Sequence, residues 1–165
     1  MLFRSICGTY SLDDAPKDVT ARMLAACDGQ VYQTPEGKVG ILGAGMMGAG
    51  IAYVSAMAGI QVVLIDAKQE AADKGKAYSE GLLDKAISRK KSTEDKKAEV
   101  LARITATTDY AALEGCDLIV EAVFEDPGVK AEVTKKAEAA IPADAIFATN
   151  TSTLPIGDLA KASSR

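Results

Sequence analysis

Gly43, Gly45 and Gly48 stand at the spacing of a loop that can receive a phosphate group, within Lys38-Val-Gly-Ile-Leu-Gly-Ala-Gly-Met-Met-Gly-Ala-Gly50. A glycine at 43 permits a tight turn out of a strand. One at 45 removes the Cβ that would block a pyrophosphate, and one at 48 lets the next helix lie close. That helix starts at Met46 and Met47 and turns free N–H groups and a positive dipole end toward the anion. The spacing alone is weak, but here it leaves an apolar run and opens a helical one, which is the setting that gives it meaning. Asp66 ends the next apolar run, 18 residues after Gly48. A carboxylate there accepts hydrogen bonds from both hydroxyls of an adenosine ribose. It also repels a 2′-phosphate, and no arginine adjoins it to offset that charge, so NAD is favoured over NADP. A glycine-rich helix start that only packs tightly, with Asp66 as an ordinary strand-end carboxylate, is disfavoured by loop, context and acid together.

A second set of polar residues falls further along. Glu121 and Glu125 follow one apolar run, and Asn150, Thr151 and Ser152 follow another. Ligands of open α/β sheets bind outside the carboxyl ends of the strands, so these positions share a rim with the glycine loop. From spacing alone, a polar turn or helix cap explains Asn150–Thr153 equally well.

The elements that must hold these residues alternate from Lys38 onward. Strands are expected at Lys38–Leu42, Gln61–Ile65, Ile104–Thr107, 118–122 and Ile146–Thr149. Helices are expected at 46–58, closed by Gly59, and at about 67–89, 92–102 and 129–140. Short β-branched runs separated by helices give a Rossmann-type α/β fold, a doubly wound parallel sheet. The connection from Ile65 to Ile104 exceeds one crossover helix, so a helical hairpin insertion is expected to project after the second strand. Residues 1–37 read as a separate helix and linker: Asp14-Ala15-Pro16 looks like a helix start, and Gln33-Thr34-Pro35-Glu36-Gly37 is a breaker-rich connection.

Bulk properties narrow the partners. Nineteen basic against 23 acidic residues, a net charge of −4, argue against a nucleic-acid partner. No apolar run reaches the roughly 20 residues of a membrane span, and no signal-peptide pattern opens the chain. Three cysteines without metal-ligand spacing fit a reduced, cytoplasmic setting and no metal site. The chain has no histidine, so no imidazole can act within it as base, shuttle or ligand.

Taken together, Gly43-Ala-Gly-Met-Met-Gly-Ala-Gly-Ile-Ala52, Val63-Leu-Ile-Asp66, Asp117-Leu-Ile-Val-Glu-Ala-Val-Phe-Glu125 and Asn150-Thr-Ser-Thr-Leu154 resemble the 3-hydroxyacyl-CoA dehydrogenase family. The likeness is to the form fused behind an enoyl-CoA hydratase in multifunctional enzymes of fatty-acid β-oxidation. It implies NAD as cofactor and oxidation of L-3-hydroxyacyl-CoA to 3-ketoacyl-CoA. It implies that Glu125 lies near nicotinamide and substrate, that Ala122 and Lys130 contact the cofactor, and that Ser152 sits beside the reacting hydroxyl with Asn150 shaping its loop. It also implies that the hairpin covers the CoA end; the run Lys85, Arg89, Lys90 and Lys91 would then meet CoA phosphates, although a solvated helix face is the ordinary reading of such a run. Members of the family continue with a strand, a histidine motif and a helical domain. The expectation is therefore of a cofactor-binding portion that holds NAD but barely turns over alone. The alternatives are a dehydrogenase of a free hydroxy acid and a non-catalytic dinucleotide-binding module.

Overall fold

In the computed structural model, the described residues are 37–164 together with the backbone of Arg4–Ser5. The helix expected within residues 14–29 and nearly all of the linker after it lie outside them.

Alternation within the strands decides which side chains meet which layer. The strands are β1 (Arg4–Ser5), β2 (Lys38–Leu42), β3 (Gln61–Ile65), β4 (Ile104–Thr107), β5 (Leu118–Glu121) and β6 (Ile146–Thr149). They form one sheet in the order β1-β6-β5-β2-β3-β4, with every pairing parallel. Val39, Ile41, Val62, Leu64, Leu118 and Val120 point to one face. Val63, Ile65, Ile119 and Phe147 point to the other. A sheet buried on both faces needs helices on both, and this chain provides them.

The first face is covered by α1 (Met46–Met57), α2 (Gln69–Ser88) and α3 (Glu94–Ala102), which add Ile51, Ala52, Leu83 and Val100 to its core. The second is covered by a 3-10 turn at Tyr110–Leu113 and by α4 (Pro127–Glu138), which add Leu113, Ala137 and the residues around Ile141. A short α5 (Ile156–Ala160) follows β6. Cys116 lies in this second core; burial pushes its thiol up to about 11, leaving it an inert apolar group.

The fold is thus the expected doubly wound parallel sheet, and α2 with α3 form the expected hairpin. Its base packs into the core through Leu83 and Val100, while each residue from 84 to 99 at its tip is exposed or only partly buried. Thr93 caps α3 by accepting from the Lys96 amide, and Lys97 ties the two helices through Asp84 at 2.6 Å and Glu80 at 3.1 Å. No helix among the described residues is long and apolar enough to cross a membrane. No sequence feature announced β1, which pairs with Ala148 and Thr149 along the outer edge of β6.

The connectivity fixes where a ligand can sit. From β2 the chain passes outward to β3 and β4, then returns across β2 to β5 and β6. Adjacent loops at the carboxyl ends of β2 and β5 therefore diverge, and the crevice between them is the binding place of open α/β sheets.

Candidate dinucleotide and substrate-end site

The glycine loop fills the first half of that crevice. Gly43 has φ +97°, a left-handed conformation that side-chain-bearing residues rarely adopt, and a Cβ there would come within 2.6 Å of the Ala122 carbonyl oxygen. A Cβ on Gly48 would stand 1.8 Å from the Gly43 carbonyl oxygen, so α1 rests directly on the turn. Gly45 differs: a Cβ there meets no protein atom within 4 Å and would point into open space. Gly45 is also the helix N-cap, with no side-chain cap bond and no acidic residue in the first turn. The first amides of α1 therefore remain free for an anion.

Asp66 closes the loop from β3. Its Oδ2 accepts from the Ala44 amide at 2.8 Å and its Oδ1 from the Ala67 amide at 2.7 Å, which fixes the carboxylate plane at the cleft wall. Each oxygen keeps a second lone pair for a hydroxyl donor. The cleft itself measures about 790 Å³, a usual volume for a ligand site, and is lined by Gly43, Gly45, Met46, Met47, Asp66 and Ala122 among others.

The far wall was not anticipated. Tyr110, Val129, Val133 and Lys136 also face this cleft, with Lys136 Nζ 6.0 Å from the Tyr110 ring centroid and 2.6 Å from Glu132. Gly75 is a second omission. A Cβ on it would come within 2.8 Å of Ala44 Cβ and 2.9 Å of Leu64, so α2 is pressed onto the phosphate loop from behind. A glycine inside a helix that costs about 1 kcal/mol against alanine is the signal that marks such contacts.

The remaining site residues gather at the rim of β5 and β6, around a buried ion cluster. Lys130, on α4, is 1% exposed, as is Glu121 at the end of β5. Lys130 Nζ donates to both Glu121 oxygens, at 2.9 and 3.0 Å, and lies 3.3 Å from Glu125 Oε2. Glu121 also accepts from the Val123 amide and from the Thr149 hydroxyl. Glu125 Oε1 accepts from the Thr151 hydroxyl, from the Ser152 and Thr153 amides, and from the Thr153 hydroxyl. Partial burial pushes the Glu125 carboxyl up. The hydrogen bonds from Thr151, Thr153 and Ser152, with the charge of Lys130, outweigh that and bring its pKa down to about 2. Ser152 is exposed on this loop. Asn150 is partly buried, and its amide donates to the Glu121 carbonyl at 2.7 Å. Its Oδ1 is buried and has no hydrogen-bond partner.

Of the residues singled out in the sequence, then, Gly43, Gly45, Met46, Met47, Asp66 and Ala122 line the cleft, with Gly48 buried behind it. Glu125, Lys130, Asn150 and Ser152 meet at the neighbouring rim, and Lys130 is held between carboxylates beneath the surface. Thr149 and Thr151, both buried, complete that cluster; Thr151 belongs to the polar run read from the sequence, whereas Thr149 was not selected from it.

The residues present suit a dinucleotide on three counts: the open space at Gly45, the free amides of α1, and an orphaned buried amide oxygen at Asn150 just after β6. A parallel sheet that reverses order beside such a loop, with a carboxylate ending the adjacent strand, defines a dinucleotide-binding Rossmann protein. The chain belongs to the 3-hydroxyacyl-CoA dehydrogenase family: the model of its NAD-binding domain matches residues 38–165, and the cofactor is NAD. Among solved structures, (S)-3-hydroxybutyryl-CoA dehydrogenase PaaH1 from Ralstonia eutropha is 40% identical with a TM-score of 0.74, the match covering 78% of this chain and 45% of that one. FadB2 from M. tuberculosis is 38% identical at a TM-score of 0.72, over 76% and 45% of the two chains. The dehydrogenase part of multifunctional enzyme 1 from C. elegans is 26% identical at a TM-score of 0.67, over 98% of this chain and 35% of that one. The chain therefore spans less than half the length of these relatives.

Proposed function

We propose that this chain is the NAD-binding portion of an L-3-hydroxyacyl-CoA dehydrogenase that oxidises 3-hydroxyacyl-CoA to 3-ketoacyl-CoA in fatty-acid β-oxidation in the cytoplasm. The observation that carries the reading is the meeting of Glu125, Asn150 and Ser152 at the rim next to the glycine-loop cleft. Gly43, Gly45 and the first turn of α1 hold the pyrophosphate, and Asp66 holds the adenosine ribose. When bound, NAD+ supplies the hydride acceptor. Asn150 orients the nicotinamide end through its unpartnered Oδ1. Ser152 hydrogen-bonds the substrate oxygen and aligns it, a positioning contribution. Lys130 acts from beneath, by fixing Glu125 and through it the loop that carries Ser152.

The domain division follows: residues 38–165 form the NAD-binding unit, and residues 1–37 lead into it from an upstream domain, read as an enoyl-CoA hydratase. The similarity over 98% of this chain to the dehydrogenase part of a multifunctional enzyme supports the presence of further domains in the parent protein. A downstream helical domain completes the substrate cleft, and a histidine from that part of the parent protein takes the hydroxyl proton.

Calorimetric titration and a turnover assay of the 165-residue chain test the proposal together. NAD+ is expected to bind more tightly than NADP+. Oxidation of 3-hydroxybutyryl-CoA is expected to fall below that of a complete enzyme by at least about 10²-fold, the lower end of what a general base contributes. Rapid turnover by the isolated chain refutes the division of labour. In a parent protein carrying the downstream domain, activity on 3-hydroxybutyrate but not on its CoA thioester refutes the substrate class.

A further inference from the structure

Charge is unevenly distributed in the buried cluster at the β5–β6 rim. It contains two carboxylates, Glu121 and Glu125, and one ammonium, Lys130, so it carries one net negative charge. Lys130 bonds to both oxygens of Glu121 but reaches only Oε2 of Glu125, at 3.3 Å. Glu121 is sealed at 1% exposure, whereas the Glu125 side chain keeps 32%. The uncompensated charge therefore resides on Glu125, at the surface of the rim. It is held there by neutral donors, the Thr151 and Thr153 hydroxyls and the Ser152 and Thr153 amides. Lys130 is the one charged side chain acting on it among the described residues; the neighbouring Asp126 caps α4 at the Val129 amide.

The direction of the cofactor makes that charge consequential. With the ribose at Asp66 on β3 and the phosphates over Gly45 beside β2, a dinucleotide runs along the strand order toward β5 and β6. Its nicotinamide then lies at the Glu125 rim. The oxidised nicotinamide ring is a cation, and hydride addition makes it neutral. A carboxylate fixed in place by neutral hydrogen bonds interacts with the first and is nearly indifferent to the second.

Building on the cofactor orientation proposed above, we propose that Glu125 sets the preference of this site for the oxidised over the reduced cofactor, as a permanent negative charge facing the nicotinamide ring. It does so without exchanging a proton.

The test uses the full 165-residue chain and three probes, NAD+, NADH and ADP-ribose, which lacks nicotinamide altogether. Affinities are measured by calorimetry for the wild type and for Glu125→Gln, which keeps an oxygen to accept the loop amides. The expected result is a loss of NAD+ affinity of about tenfold, with NADH and ADP-ribose within about twofold; tenfold corresponds to about 1.4 kcal/mol. Should Glu125→Gln fail to fold, Phe124→Lys serves instead. Phe124 is 81% exposed on the cleft wall, so a lysine there sets a positive charge beside Glu125 without disturbing the cluster. It is expected to lower the NAD+ to NADH affinity ratio in the same direction. Equal weakening of all three ligands by Glu125→Gln means that the residue only shapes the loop, and overturns the inference. An unchanged NAD+ to NADH ratio in the variant that folds also overturns it. A wild-type chain that binds neither NAD+ nor ADP-ribose overturns the underlying cofactor reading instead, so the two failures are told apart.

Discussion

Replacing Lys130 with methionine removes the only cation from between two carboxylates and leaves the shape nearly unchanged. Glu121 is 1% exposed and loses two hydrogen bonds, at 2.9 and 3.0 Å; Glu125 loses its partner at 3.3 Å. What remains for Glu121 is the Val123 amide and the Thr149 hydroxyl, neither of which carries a charge. Breaking a buried pair from one side costs about 3–5 kcal/mol, because the stranded charge stays out of water. A domain whose total stability is about 5–15 kcal/mol then loses a fifth or more of it. The assay is urea denaturation followed by circular dichroism, comparing Lys130→Met, Glu121→Gln and the double variant. Lys130→Met is expected to lose about 3 kcal/mol or more. The double variant is expected to recover at least half of that, because a glutamine at 121 still accepts from Val123 and Thr149 without a buried charge. A single variant within about 1 kcal/mol of wild type refutes the reasoning, as does a double variant no more stable than the single one.

Two glycines separate binding from folding. Gly45→Ala places a Cβ in space where no protein atom lies within 4 Å, so the melting temperature should hold within about 2 °C while NAD+ affinity drops more than tenfold by calorimetry. Gly48→Ala drives a Cβ to 1.8 Å from the Gly43 oxygen, so the loop must shift, and both stability, by about 1–3 kcal/mol, and NAD+ binding should fall. Acid stability tests Glu125. Its carboxyl is depressed from 4.5 to about 2 on folding, so it contributes stability above pH 4.5 that is lost as pH falls toward 2. Solvent screening of this partly exposed group holds the contribution to about 1 kcal/mol, and Glu125→Gln should flatten the urea-midpoint profile as pH falls below 4.5.

The parts legible in the sequence are those governed by one local rule. Short, nearly continuous apolar runs gave β2 through β6 their places, and the Gly43–Gly48 spacing located the turn because Cβ atoms at 43 and 48 would strike backbone while one at 45 would enter the open cleft. The Ile65–Ile104 interval betrayed the hairpin by length alone. What escaped depends on pairs distant in sequence. Tyr110 faces the cleft only because the 3-10 turn after β4 lies opposite α4. Thr149 looks like any β-branched strand residue until Glu121 stands opposite it in the parallel register. The resemblance marks Lys130 as a cofactor contact, but its burial between Glu121 and Glu125 follows only from neighbours distant in sequence. The pairing of β1 with β6 follows from no local pattern.

The same cluster determines what this half of the site is unable to do. A general base near neutral pH needs a lone pair that is free and a pKa close to the working pH. Glu121 is sealed from solvent, with its oxygens held by Lys130, Val123 and Thr149. Glu125 has a pKa of about 2 and is held by the donors of Thr151, Ser152 and Thr153. Taking a proton would require giving up hydrogen bonds that fix the Ser152 loop, so basicity and positioning are mutually exclusive in this carboxylate. Of the carboxylates lining the cleft, Asp66 anchors the Ala44 and Ala67 amides and Glu132 pairs with Lys136. On the proposed reading the rim holds charge in place while a hydride moves, and the substrate proton goes to neither Glu121 nor Glu125. That conclusion rests on the bonding of Glu121 and Glu125, independently of the absence of histidine from the chain.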